Sequence, residues 1–232
     1  MKALLLIVLV ARCFHLEASE TSQMSSLRKA LSAVPAPDRP VLVVKWIREA
    51  PAERRELITI NAVKQAVEIN PAAAALLVGA IGRAVPEMVA LAAATAAAKQ
   101  AAQADAIARA GVAVVPAMAG QIVAAVCKAV PGQYRSVAIA ASEVAPGAGN
   151  DILRSVSLSI PDLRQRLEKE VASYGLMPPP VAVVLDRVGV PQIHTGASTG
   201  PISSGLSSPG PMDASPNGTE HGKHGGRNYA KP

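Results

Sequence analysis

Aromatic residues are nearly missing from this chain, which has one Phe, one Trp and three Tyr in 232 residues. A surface that grips single-stranded nucleic acid needs rings on which bases stack. No run of five or six basic residues is present either, so the mild net charge of +6 does not point to nucleic acid. Cysteine is almost as scarce, with Cys13 and Cys127 only, and no histidine falls between His15 and His194. No Ser/His/Asp set, no phosphate-cradling glycine motif and no Cys/His metal-ligand spacing occurs. His221 and His224 near the end of the chain lack a preorganised third ligand. The expectation is therefore a protein that is not an enzyme, with no catalytic, cofactor-binding or metal-ligating residues. A site assembled in space would have to gather scattered charges such as Asp105, Arg135 and Asp151.

The N-terminus has the layout of a secretory signal peptide. Lys2 precedes a nine-residue apolar run, 3–11, and a small residue follows at Ala18, where cleavage is expected. The run is too short to span a bilayer. Removal of residues 1–18 takes Cys13 away and leaves Cys127 as the only thiol, so no intrachain disulfide forms and the mature protein is held by packing alone. Export, whether to a periplasm, a cell envelope or the medium, follows from this segment.

What the chain does have is a ruler. Pro71, Pro86, Pro116, Pro131, Pro146 and Pro161 are spaced at fifteen residues, apart from one interval of thirty with Ala101 at its midpoint. Five prolines falling on such a register by chance have odds on the order of one in a million, so the spacing marks an internal repeat. Proline suits the first position of a helix, where its missing N–H has no partner to lose, and it drives the preceding residue toward extended geometry. Each copy is thus expected to be one short helix, with a softer junction at Ala101. Within a copy, the seventh position reads Leu77, Ala92, Ile107, Ile122, Val137, Ile152 and Leu167, and the eleventh runs from Ile81 to Val171. These lie on one helical face. Positions eight, twelve and fifteen, seen as Val123, Cys127 and Val130, make a second apolar stripe. Two stripes describe a helix buried on two sides, as in the middle of a stack.

Charge marks the ends of that stack. Only ten charged residues fall within 71–160, whereas the last copy alone carries Asp162, Arg164, Arg166, Glu168, Lys169 and Glu170, and the helix before the first copy is equally charged. Terminal units of a solenoid need such polar outer faces. The fold class is accordingly all-α: a stack of short Pro-initiated helices, an α-solenoid or compact helical array, followed by a disordered tail. The expected organisation is a signal peptide at 1–18, a linker or loosely docked arm at 19–40, an Ala-rich repeat domain at 41–175 and a Pro/Gly/Ser-rich, largely disordered tail at 176–232. Within the tail, the apolar patch 181–185 either docks on the last helix or pairs as a strand. The residues beyond it are too poor in large apolar side chains to offset ordering entropy.

The functional expectation is an exported, non-catalytic scaffold or protein-interaction module, with a protein partner or self-association. The alternative is a membrane-active or pore-forming helical protein, nominated by the uncharged stretch 110–127. Gly111 and Pro116 interrupt that stretch and alanine adds little hydrophobicity, so membrane contact is the less favoured of the two.

Overall fold

The computed structural model describes residues 24–175 and 180–189, all within one compact unit; the expected signal peptide, the three tail histidines and the chain beyond 189 lie outside the described residues. The fold is a stack of short helices with a fifteen-residue repeat, and no strand occurs among the described residues. Residues 24–33 form α1, followed by α2 (Arg39–Glu49), α3 (Ala52–Ile69), α4 (Ala74–Ala84), α5 (Val89–Lys99) and α6 (Ala104–Val114). Next come α7 (Ala119–Ala129), α8 (Tyr134–Val144), α9 (Gly149–Ser159), α10 (Arg164–Ala172) and α11 (Val181–Gly189).

The copies that form α4 to α9 are built in the same way, and the last differs in the nine-residue length of α10. The residue before proline is extended, as at Val115 (φ −135°, ψ 70°), and ends the preceding helix. Proline then opens a three-residue 3-10 turn, here Pro116–Met118, which runs into an eleven-residue α-helix. Two backbone bonds close each junction: the Val130 amide donates to Val126 O at 2.9 Å, and the Gln133 amide donates to Val130 O at 3.0 Å. The copy without proline keeps the same geometry. Gln100 has φ −132° and ψ 65°, Ala101–Gln103 form the same turn, and both bonds recur at 2.9 Å. Once neighbouring helices impose the junction, proline favours it without being required.

The unit also reaches further upstream than the proline register shows. Ala36–Asp38 form a 3-10 turn that leads into the eleven residues of α2, the same plan without a proline at its first position. The register is hidden because α3 is one uninterrupted helix of 18 residues. Before it, α1 buries Leu31, and Arg39 Nε ties the two segments by donating to Leu31 O at 3.1 Å and Val34 O at 3.2 Å. The region 19–40 thus contains a packed helix.

Helices pack most extensively on the helix two places along, so two rows form: α2, α4, α6 and α8 in one, and α3, α5, α7 and α9 in the other. The core lies between and along these rows. In the copy 116–130, Ala119, Ile122, Val123, Val126 and Cys127 are buried, which adds the fourth position to the two expected stripes; Val130, at the fifteenth, is only half-buried. In α5 the buried set is almost all alanine, Ala92, Ala93, Ala96 and Ala97. Small side chains let such helices approach toward the close end of the 8–10 Å interaxial range.

Ion pairs run from helix to helix instead of along one helix. Lys99 Nζ sits 2.6 Å from Glu68 Oε1 and, as a hydrogen-bond donor, holds that carboxyl below its ordinary pKa. Arg55 reaches Glu87 at 3.3 Å, and Arg109 pairs with Glu143. At the C-terminal end, 181–185 belongs to a helix, so the strand alternative does not occur. Val181, Val184, Leu185 and Val188 of α11 are buried, and α11 packs against both α8 and α10. It is fastened by Arg135 to Asp186, by Arg187 to Glu170 at 2.7 Å, and by Arg166 Nη1 donating to Val188 O at 2.7 Å.

Candidate functional site

The charged residues scattered through the repeats are placed by the row packing. Asp105 and Arg135 share a groove of about 430 Å³ between α6 and α8, together with Arg109 and Glu143. Asp151 is not among its lining residues. It lies at the α7–α9 contact, where a Cβ built on Gly120 would sit 3.2 Å from the Asp151 carbonyl oxygen. The three charges are therefore not gathered. Both arginines in the groove are already engaged, Arg109 by Glu143 and Arg135 by Asp186. Asp105 and Arg109 stand four apart on α6, but α8 brings the Glu143 carboxylate within reach, and Arg109 pairs there.

Cys127 is fully buried on the α7 seam, and burial pushes its thiol up to about 12. A thiol in that state is not a nucleophile near neutral pH. Among the described residues, no group of three or more His, Cys, Asp or Glu side chains could hold a metal ion. No described helix is long and apolar enough to cross a membrane.

Two further grooves lie at the ends of the stack. Between α9 and α10 lies a groove of about 460 Å³ whose lining includes Leu153, Leu158 and Val171, with Arg154 and Glu168 beside them. Leu158 is 57% exposed. It holds the thirteenth position of its copy, where the other copies carry a charge (Arg83, Lys128, Glu143) or a small residue (Ala98, Ala113, Ser173), so a large apolar side chain stands there in this copy alone. At the other end, α2 presents a shallow groove of about 430 Å³ formed by Val41, Val44, Lys45, Arg48 and Glu49, with Val41 69% exposed. Neither groove stands out in a single stripe of sequence, although the break in pattern at Leu158 is a signal that can be read there. Compared with known proteins, the chain matches no family model, no curated protein and no solved structure.

Proposed function

We propose that the chain is an exported, non-catalytic helical-repeat protein that acts as a scaffold or protein-interaction module. The observation that carries this is the α9–α10 groove, where Leu158 stands exposed in a position that other copies give to a charged or a small residue. Apolar groups rimmed by charge, on a rigid helical frame, are what a protein partner would bury. The chemistry within the rows agrees: the groove arginines are engaged in ion pairs and the buried thiol is held neutral.

Site-specific photocrosslinking in the native host tests it. A photoreactive side chain at position 158 is expected to give adducts with protein, while one at the exposed Gln121 gives none. Lipid adducts alone at 158 would favour a membrane-active chain and overturn the proposal, as would equal capture at both positions.

A further inference from the structure

We infer that the partner at the α9–α10 groove is a second copy of this chain, docked head to tail through the α2 flank that carries Val41 and Val44. The assignment rests on the interaction-module role proposed above and names its occupant.

Three observations support it. Every helix from α3 to α7 is covered broadly by the helix two places along, whereas α9, which packs against α10, meets the helix two places along, α11, over only a small surface. The surface left at that end is therefore shaped to take another helix of the same build. A helix of this build with an uncovered apolar flank stands at the opposite end of the molecule: α2 has the 3-10 turn and eleven-residue helix of the repeat, and its Val41 is the most exposed large apolar residue described. The charges also match. The groove sets Arg154 and Glu168 beside Leu158, and the flank sets Glu49 with Lys45 and Arg48 beside Val41, so each end offers both signs to the other. Opposite charges around an apolar contact fix orientation and register. Because the two surfaces differ, the contact is heterologous and propagates into an open chain unless its rotation closes a ring.

Sedimentation of the full chain as a function of concentration, together with four variants, tests the assignment. The wild type is expected to grow in mass with concentration. Leu158→Asp and Val41→Asp should each weaken association at least tenfold, with helical circular dichroism unchanged to show that each still folds. The decisive sample is an equimolar mixture of the two variants: one retains the intact α2 flank and the other the intact groove, so the mixture should stop at a dimer. Glu168→Lys should weaken assembly, and Lys45→Glu in the same chain should restore it.

A wild type that stays monomeric up to about 1 mM would overturn the self-association. A variant mixture that stays monomeric, or an assembly lost with Leu158→Asp yet untouched by Val41→Asp, would overturn the head-to-tail geometry. Photocrosslinks from position 158 to a protein other than this chain would leave the interaction module standing and exclude the second copy as its partner.

Discussion

Gly82 on α4 faces Val114 on α6 so closely that a Cβ at Gly82 would lie 2.6 Å from Val114 Cγ2 and 3.0 Å from Val89 Cγ2. Both neighbours are β-branched and have little rotamer freedom with which to yield. Alanine would gain about 1 kcal/mol in helix propensity, but overpacking costs about 1–3 kcal/mol, so Gly82→Ala is expected to lower stability by roughly 1 kcal/mol and Gly82→Val by more. Gly147, in an exposed 3-10 turn, has nothing within 4 Å of a built Cβ. There, alanine should stabilise by about 0.4–1 kcal/mol through the unfolded chain. Denaturant midpoints of the three variants against wild type decide this, and equal losses at both glycines would contradict the row packing.

The junction at Ala101 leads to a second expectation. Gln100 already has the extended geometry of a residue before proline, and Ala101 is the first residue of its turn, where an amide has no partner within the turn to lose. Ala101→Pro should therefore complete the register and stabilise by about 0.4–1 kcal/mol, raising Tm by about 1–4 °C. A lower Tm would mean that this junction differs from its neighbours.

The proline spacing, the helical unit and the buried seventh and eleventh positions were legible in the residues because each copy repeats the same local physics. The fourth position was not. In four copies it holds a small residue that reads as neutral, Ala74, Ala104, Ala119 or Gly149, although it lies three before the seventh position and seven before the eleventh, on the same helical face. The copy at α2 escaped notice because its first residue is Ala36 and the longer α3 breaks the count. The α9–α10 groove could not be read in full, since Leu158 and Glu168 meet only through tertiary packing, and the partner of Arg109 depends on which helix lies alongside.

The attachment of α11 supplies a third expectation. Val181, Val184, Leu185 and Val188 follow i, i+3, i+4, i+7 spacing and are buried, so the helix is held by its apolar face, with ion pairs at the rim. Exposed ion pairs contribute about 0–1 kcal/mol, whereas truncating a buried leucine costs about 2–5 kcal/mol. Leu185→Ala should accordingly release α11 while α4 to α9 stay packed. Hydrogen exchange is expected to speed up at 181–189 and at the α8 surface it covers, with α5 and α6 unchanged. Asp186→Asn should change exchange far less than Leu185→Ala, and the reverse order would assign the attachment to the ion pair.

Cys127 links burial to pH. Its thiol is shifted from 9.0 to about 12 in the folded chain by burial alone. An acid whose folded pKa is raised contributes stability that is complete below the unfolded pKa and is lost as pH rises through the folded value. The window is therefore pH 9 to 12, where the unfolded thiol ionises and the folded one does not. Across it, wild type should lose up to about 1.4 kcal/mol per pH unit relative to Cys127→Ala, because a unit of pKa corresponds to 1.36 kcal/mol. Alanine is a fitting reference, since Ala97 is buried at the same position of α5. Lysine and tyrosine titrations affect both proteins and cancel in the difference. The check is a pair of denaturation series from pH 7 to 10.5: parallel curves up to about pH 8.5 should then diverge, with wild type falling faster. If they stay parallel throughout, the thiol is not held in the seam between α7 and its row neighbours as the packing requires.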